Sequence, residues 1–238
     1  MRFERGLTFL DNCTTFTDLA LLIEDFQETI NAFGFTSCAS GAWSGIGKGR
    51  TNRFFFNSWP PDWLEIYNRG NFFPDDPFVQ ESHRRMESYL WTELESTQAL
   101  APRGREIYDA TRAFGWKEVM GIPVHGPADY QGFVAIATTG PVTLPARDRT
   151  FLEMAAHAIH NRCRKEIGFG LSPELPRMTA REIECMTWVA VGKTNWEIGQ
   201  LLGISASTVH FHVESAKKKL NKSTRTEAVA LLVLHGLI

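Results

Sequence analysis

The stretch TNWEIGQLLGISASTVHFHVESAKKKL, at residues 194–220, decides how the C-terminal part of the chain folds. Thr194 and Glu197 form a capping box, which predicts a short helix that Gly203 ends in the left-handed conformation. Ser205 can cap a second helix. The apolar residues of that second helix recur at helical spacing and are Val209, Val213, Ala216 and Leu220. A short helix, a turn of about three residues and a longer helix form a helix-turn-helix unit.

The outer face of the second helix is polar and cationic, as expected of a helix that enters the major groove of DNA. We expect His210 and Glu214 to meet base edges and Lys217–Lys219 to contact phosphates. The candidate DNA-binding residues are Thr194, Ser207, Thr208, His210, Glu214, Lys217 and Lys218. The alternative is a small helical interaction domain with a solvated charged face, and the spacing alone leaves both open.

A break between two domains is predicted at Phe169–Pro176, where helical periodicity stops and Gly, Ser and two Pro residues come together. We expect domains at residues 1–168 and 177–238, joined by a linker at residues 169–176. The C-terminal domain has no convincing strand pattern and is predicted to form four short helices, the first of which begins at a capping box of Thr179 and Glu182. We therefore expect this domain to be all-α.

The N-terminal domain combines helical and strand signals, which predicts an α+β fold. Helical spacing of apolar residues occurs in Leu19–Phe33 and Ala146–Ile167, and strand-like runs occur at Arg53–Phe56, Val119–Val124 and Gly132–Thr138. Short turns such as His125–Asp129 favour hairpins between sequential strands. We therefore expect an α/β/α sandwich with an antiparallel sheet between its helices.

The composition of the 238 residues is that of a soluble globular protein, with 43% hydrophobic and 22% charged residues. No run approaches ~18 apolar residues and the start lacks a secretory signal, so we expect a cytoplasmic protein without membrane contact. The four cysteines are widely scattered, which predicts reduced thiols rather than a zinc site. The net charge is −2, but residues 173–238 carry 8 basic and 6 acidic side chains, a local +2 that suits a polyanion.

A set of residues across the C-terminal domain matches the pattern of a known family. They are Met178–Glu184, Gly192–Thr194, Glu197 and Ile198, Ile204 and Ser205, Thr208–His212, Lys219 and Leu220, Arg225, and Ala228–Ala230. They closely resemble the DNA-binding domain of LuxR-type transcription regulators, with Met178 in place of the usual Leu as a conservative departure. The resemblance implies a four-helix domain whose third helix reads DNA and whose fourth helix, at about Arg225–His235, helps to form a dimer.

LuxR-type output domains occur both in response regulators and in quorum-sensing receptors, so the N-terminal domain must distinguish them. A phosphoacceptor domain would need acidic residues near its start and a doubly wound parallel sheet, and neither is found. Four residues instead have the spacing of an autoinducer-binding pattern, namely Trp63, Tyr67, Asp76 and Trp91. They resemble the pattern of receptors for N-acyl-homoserine lactones, in which Gly121 also has a counterpart ahead of a strand.

The resemblance implies a role for each of these residues at a lactone. The Trp63 indole N–H would donate to the lactone carbonyl, and the Tyr67 hydroxyl would donate to the acyl carbonyl. The Asp76 carboxylate would accept the amide N–H of the ligand, while Trp91 would pack on the lactone ring. The alternative is that all four are ordinary core residues and that Asp76 only starts a helix, but four matching offsets favour the ligand.

Neighbouring aromatic residues predict the shape of the pocket. On a regular strand, Phe54 and Phe56 would share one face and Phe55 would take the other. Phe54, Phe56 and Trp59 are therefore further candidate ligand-binding residues. Trp43 could crowd the same space. We expect a short aromatic pocket that prefers a short, branched or aryl acyl group to a long straight chain.

A homodimer is expected, because a single helix-turn-helix domain makes few phosphate contacts and reads little sequence. The stripe Leu152, Ala156, Ile159 and Cys163 could form the dimer seam or could cover the sheet, and the sequence leaves both open. We expect lactone binding to complete the N-terminal core and so to favour folding or dimerisation. The paired output domains would then bind double-stranded promoter DNA and contact RNA polymerase.

An enzyme, for example a lactone or amide hydrolase fused to a DNA-binding module, is the second hypothesis. The sequence has no nucleophile elbow, no metal-binding run and no phosphate loop, and Gly45–Gly49 predicts only a turn. His157 and His160 have no evident acidic or sulfur partner, so we expect surface or dimer-edge histidines, with no metal and no cofactor. A LuxR-type regulator that senses a different small molecule, or none, is the third hypothesis.

Overall fold

A computed structural model describes residues 2–44, 51–97, 100–127, 130–170 and 175–238. Within these ranges the helices are α1 (Arg2–Thr15), α2 (Leu19–Ala32), α3 (Pro61–Arg69), α4 (Pro77–Ser82), α5 (Trp91–Thr97), α6 (Pro102–Phe114), α7 (Ala146–Ile167), α8 (Ala180–Ala190), α9 (Asn195–Leu202), α10 (Ala206–Lys219) and α11 (Arg225–Leu234). The strands are β1 (Ser37–Ser44), β2 (Thr51–Asn57), β3 (Tyr89–Leu90), β4 (Glu118–His125) and β5 (Gln131–Thr138).

The chain divides into two compact units, and Ser172–Ile238 belongs to the second. Three of the sequence predictions fall wholly or partly outside the described residues. They are the turn at Gly45–Gly49, the end of the turn at His125–Asp129 and the middle of the linker at residues 169–176.

The first unit is built on a five-stranded sheet with the order β2-β1-β5-β4-β3, in which every neighbouring pair is antiparallel. Because side chains alternate along a strand, Val134 and Ile136 of β5 face one layer of helices while Phe133 and Ala135 face the other. Helices on both sides of an antiparallel sheet confirm the predicted α/β/α sandwich.

One side of the sheet, here called the filled face, is covered by α1, α2 and α7. Phe9 of α1, Phe26 of α2 and Met120 of β4 are fully buried in its core. The stripe Leu152, Ala156, Ile159 and Cys163 of α7 belongs to the same core, with at most 1% of each side chain exposed. This stripe therefore covers the sheet, which decides between the two roles that the sequence left open.

A β-bulge changes the predicted orientation of the three consecutive phenylalanines in β2. Ser40 of β1 pairs with Phe56 while the next residue, Gly41, pairs with Phe54, so Phe55 has no partner of its own. At a β-bulge, two residues of one strand oppose one residue of its neighbour, so the side chains of β2 stop alternating between the two faces at that point. Phe56 packs on Phe26 of the filled face, with ring centroids 6.0 Å apart. The prediction that Phe54 and Phe56 share one face is wrong, because the bulge separates them.

His160 lies fully buried on the filled face, not at the surface or a dimer edge as predicted. Its Nδ1 lies 2.8 Å from Ser40 Oγ and its Nε2 lies 2.7 Å from the Tyr130 hydroxyl. Burial is the main cause that lowers the pKa of His160 to about 3, so the ring is neutral at physiological pH. Both ring nitrogens have partners, and the residue serves to join α7 to the sheet. Among the described residues, no group of three His, Cys, Asp or Glu side chains could hold a metal ion.

The second unit contains α8, α9, α10 and α11 around one apolar core. Its helices begin at strong local signals, since Thr179 and Thr194 form the two predicted capping boxes and Ser205 caps α10. Gly203 ends α9 with φ of 66°, as expected of a glycine in the left-handed region. The all-α helix-turn-helix prediction is confirmed. Thr224 and Glu227 form a third, unpredicted capping box at the start of α11.

Where the structure describes the chain, none of its helices has both the length and the apolar character that crossing a bilayer requires.

Candidate ligand cavity and DNA-binding helix

A cavity of about 400 Å³ lies on the side of the sheet opposite the filled face, here called the cavity face. Residues from β2, β4, β5 and from helices α3–α6 line it. Six of the seven predicted ligand-binding residues contribute to the lining, namely Phe54, Trp59, Trp63, Tyr67, Asp76 and Trp91. The seventh, Phe56, packs in the filled face instead. A volume of this size is at the lower end of the ~300–1,000 Å³ that is usual for small-molecule sites.

Helix α3 brings two of these residues to the same wall. Pro61 occupies the first turn, where its missing N–H costs nothing, and the helix then presents Trp63 and Tyr67 one turn apart. Their ring centroids are 5.8 Å apart, and Trp63 is only 6% exposed. The wall therefore offers apolar rings with one polar group on each.

Asp76 starts a helix, and its contact with a ligand stays a prediction. It is the N-cap of α4, where its Oδ1 accepts the Phe78 N–H at 2.9 Å, and it also lines the cavity. Its Oδ2 accepts the Tyr67 hydroxyl at 2.6 Å. Burial raises the pKa of Asp76, and the hydrogen bonds from Tyr67 and Phe78 oppose that rise. A nearly buried carboxyl group that accepts hydrogen bonds from Tyr67, Phe78 and Val79 is thus fixed at the wall of the cavity, with about one lone pair left for a further donor.

The hydroxyl of Tyr67 has only one proton, and the structure directs it to Asp76. Burial, followed by the nearby Asp76 carboxylate, raises the pKa of Tyr67 far above its usual value, so the hydroxyl remains a donor. In this arrangement Tyr67 holds Asp76 in place. Donation to an acyl carbonyl, the role implied by resemblance, requires the Tyr67 hydroxyl to leave Asp76.

Trp91 is the first residue of α5 and closes another part of the cavity. Its ring stacks on Tyr108 of α6 with centroids 5.3 Å apart and planes at 13°. The indole Nε1 is buried and has no hydrogen-bond partner in the described part of the chain. A buried N–H without an acceptor costs about 1–3 kcal/mol, so the site has a donor that a ligand oxygen could satisfy.

Four aromatic lining residues were not predicted from the sequence, namely Phe73, Phe78, Trp116 and Phe133. The alternation of Gly132–Thr138 places the side chains of Phe133 and Val134 on opposite faces of the sheet, but it does not show which face lines the cavity. Trp116 precedes β4 and packs against Trp59 at 5.4 Å, a contact between segments far apart in sequence. Trp43, expected to crowd the cavity, packs behind Phe133, with ring centroids 5.2 Å apart.

Helix α10 exposes most of the predicted DNA-binding residues, namely Ser207, Thr208, His210, Glu214 and Lys218. Lys217 donates to Glu214 at 2.8 Å, and Lys219 donates to the buried Glu182 of α8 at 2.7 Å. The three consecutive lysines therefore have different environments. Lys218 is exposed and forms no ion pair with the described residues, which leaves it the freest of the three for a phosphate.

The hydroxyl of Thr194, another predicted DNA-binding residue, takes part in the capping box of α9. It lies 2.8 Å from Glu197 Oε2 and accepts the Glu197 N–H at 3.3 Å. The structure thus shows its role at the helix start, and its contact with DNA stays a prediction.

A ligand-sized cavity in one unit and a helix-turn-helix in the other define the class of ligand-responsive DNA-binding regulators. A model of the autoinducer binding domain matches residues 18–163, and a model of the luxR family of bacterial regulatory proteins matches residues 176–232. The chain belongs to the luxR family and contains an autoinducer-binding domain.

Relatives over almost the whole chain are transcriptional regulators. The quorum sensing-dependent regulator RpaR of Rhodopseudomonas palustris is 30% identical over 99% of this chain and 95% of its own length. The transcriptional activator BjaR1 of Bradyrhizobium diazoefficiens is 25% identical over 99% of this chain and 96% of its own. The crystal structure of Escherichia coli SdiA has the same fold, with a TM-score of 0.65 at 20% identity over 99% of this chain and 98% of SdiA. The protein is thus a LuxR-type autoinducer-binding transcription regulator and not an enzyme.

Proposed function

We propose that the protein binds an N-acyl-homoserine lactone with a short, branched or aryl acyl group and then binds promoter DNA as a homodimer to control quorum-sensing genes. Residues 1–168 are the autoinducer-binding domain, residues 169–176 the linker and residues 177–238 the DNA-binding domain in this proposal. RNA polymerase is the partner of the DNA-bound dimer.

The observation that carries the proposal is the buried Asp76 carboxylate in a cavity that is lined mainly by aromatic side chains. An acyl-homoserine lactone is uncharged and has one amide N–H, which Asp76 can accept in a charge-assisted bond of about 2 kcal/mol. Trp63 and Trp91 offer indole N–H groups to its carbonyl oxygens. These contacts match a small neutral amphiphile better than a charged metabolite, since no basic side chain lines the cavity among the described residues.

The proposed preference for a short, branched or aryl acyl group rests on the side chains that line the cavity. Nine of the lining side chains are aromatic: Phe54, Trp59, Trp63, Tyr67, Phe73, Phe78, Trp91, Trp116 and Phe133. Rigid rings stack well on a flat aryl group or a compact branched one. The small volume leaves little room for a long straight chain.

Ligand binding would favour the active form by mass action. A ligand that binds the folded chain but not the unfolded chain stabilises the folded state by an amount that grows with its concentration. Filling the cavity adds the apolar contacts that the cavity face lacks, and dimerisation follows. A chain that stays soluble, dimeric and bound to DNA without any ligand would contradict this coupling.

The test is calorimetric binding of the full chain to a panel of defined compounds, with mass spectrometry of molecules that copurify from its own host. The panel contains the isovaleryl, phenylacetyl and dodecanoyl homoserine lactones and 1-octanoyl-rac-glycerol. We expect submicromolar binding of the first two and at least tenfold weaker binding of the dodecanoyl compound. Tightest binding of the dodecanoyl lactone would refute the acyl preference.

The alternative is a LuxR-type regulator that senses a different small molecule or none. SdiA has been solved in complex with octanoyl-rac-glycerol, which has no amide N–H for an aspartate to accept. Binding of 1-octanoyl-rac-glycerol without any lactone would support this alternative and refute the lactone proposal. Hydrolysis of a lactone by the chain would instead revive the enzyme hypothesis.

A further inference from the structure

An exposed phenylalanine lies in the middle of helix α10. Phe211 has 68% of its surface exposed, although α10 also carries the buried core residues Val209 and Val213. Its ring contacts the neighbouring His212 at 5.7 Å but is not part of the cluster of described apolar residues that holds α8–α11 together. Single exposed apolar side chains are common on protein surfaces, so the role of Phe211 is argued from its position on the helix and not from its exposure alone.

The direction of Phe211 follows from helix geometry. With Ser207 set at zero and about 100° per residue, Phe211 lies at about 40°. The buried residues Val209, Val213 and Ala216 lie at about 180–240° on the same scale. Phe211 thus points almost directly away from the core, between residues already assigned to the DNA-facing surface.

The other residues of this outward face are polar or charged, namely Ser207, His210, Glu214 and Lys218. Polar groups and cations suit base edges and phosphates, and an isolated apolar ring among them needs an apolar feature on the partner. In the major groove, the apolar feature at a base edge is the C5 methyl group of thymine. Phe211 is the sixth residue of α10, within the N-terminal part of a recognition helix that reaches base edges.

We propose that Phe211 is a specificity-determining residue that contacts a thymine methyl group in each half of the operator. His210 and Ser207 flank this contact and hydrogen-bond to neighbouring base edges, while Lys218 contacts the phosphate backbone. The inference rests on DNA binding by the second unit and is independent of which ligand the first unit binds.

The test removes the methyl group from the DNA and the ring from the protein, separately and together. The full chain is produced in its own host at high cell density, so that any copurifying ligand is retained, and it selects duplexes from a random pool. Each thymine of a selected duplex is then replaced, one at a time, by uracil (as deoxyuridine), which differs only in lacking the C5 methyl group. We expect a loss of affinity of about four- to tenfold at one thymine position per half-site and no loss at the others.

The protein variants identify the side chain responsible. Phe211→Ala is expected to bind the thymine and uracil duplexes equally, and Phe211→Leu is expected to keep part of the difference. Val191→Ala is the matched control, since Val191 is 65% exposed but lies outside α10 and should leave the difference unchanged. Circular dichroism checks that each variant has wild-type helix content.

Three results would overturn the proposal. The first is a wild-type chain that is insensitive to every thymine-to-uracil replacement. The second is a Phe211→Ala variant that keeps the full thymine preference. The third is a loss of dimer mass in Phe211→Ala with thymine preference intact, which would show that the ring contacts a second copy of the chain. A chain that selects no duplex at all would refute DNA binding itself, a failure distinct from these three.

Discussion

The two faces of the N-terminal sheet use the same strands but differ in how far the chain completes them. On the filled face, the buried His160 ring is paired within the chain, with Ser40 and Tyr130. On the cavity face, a space of about 400 Å³ is left and the Trp91 N–H has no acceptor among the described residues. A cavity beside an unpaired hydrogen-bond donor therefore indicates a ligand site on the cavity face.

The comparison also separates two sources of stability. Side chains of the filled face pack on one another within the chain, so we expect them to contribute to stability whether or not a ligand is bound. Side chains of the cavity face contribute fully only when the space is occupied. Mutations on the two faces should therefore respond differently to added ligand.

The largest expected effect is on the filled face. Phe26→Ala should lower the free energy of unfolding by about 3–5 kcal/mol, because Phe26 is fully buried against Phe9 and Phe56. Urea denaturation with saturating ligand measures this loss, and the ligand should not selectively restore it. Leu21→Ala is the control, because Leu21 is 53% exposed on the same helix. Full rescue of Phe26→Ala by ligand would remove the distinction between the faces.

In the second unit, the ion pair between the buried Glu182 and Lys219 gives the next effect. Burial raises the pKa of Glu182, but hydrogen bonds from Lys219, Thr179 and Ser215 prevail and lower it to about 2. Glu182→Gln should cost about 1–3 kcal/mol at pH 7, as it leaves Lys219 without its carboxylate.

The pH dependence of this effect has a definite sign. A carboxyl group whose pKa is depressed in the folded state stabilises above its unfolded pKa of 4.5, and that contribution is lost as pH falls towards 2. The difference between Glu182→Gln and wild type should therefore shrink over this range. Hydrogen exchange of α8 amides as a function of pH measures it, and a constant difference down to pH 2 would exclude the ion pair as the cause.

On the cavity face, Asp76→Asn should reduce ligand affinity about 10- to 100-fold, because a charge-assisted bond to the ligand amide is lost. The stability of the ligand-free chain should change by less than about 1 kcal/mol, since Asn is an equally good N-cap of α4. Calorimetry and thermal denaturation give the two values. Glu65→Gln is the control on the exposed side of α3. Equal losses in binding and stability would indicate a structural role only.

The smallest expected effect is at Trp91, where a substitution should change ligand affinity more than stability. Trp91→Phe removes an N–H that has no partner among the described residues, so the stability of the ligand-free chain should stay within about 1 kcal/mol of wild type although the buried ring becomes smaller. Ligand affinity should still fall several-fold. Trp196→Phe, at a residue 67% exposed, controls for the general effect of the substitution. A large loss of stability with unchanged affinity would show that Trp91 acts only in packing.

Local signals predicted the second unit well. The starts of α8, α9 and α10 follow from Thr179, Thr194 and Ser205, because capping depends on residues three positions apart. The different ion-pair partners of Lys217–Lys219 could not be predicted in the same way. It depends on Glu182, which comes from another helix.

The first unit was predicted in outline, because alternation and helical spacing show where elements lie but not which strands pair. The candidate residues Trp63, Tyr67, Asp76 and Trp91 came from family resemblance, and the structure brings all four to one cavity. The burial of His160 was missed because its partners Ser40 and Tyr130 are 120 and 30 residues away. Only the folded sheet brings them together.

The extra residue in β2 has a practical consequence for altering the ligand range of this receptor. Phe55 is the unpaired residue, and β2 pairs with β1 on both sides of it. Such a bulge is common at the edge of a sheet, where β2 lies. Of the three adjacent rings, only Phe54 reaches the chamber, and it is 49% exposed at the rim. An engineer could therefore exchange that single side chain to retune which signal is accepted without repacking the interior.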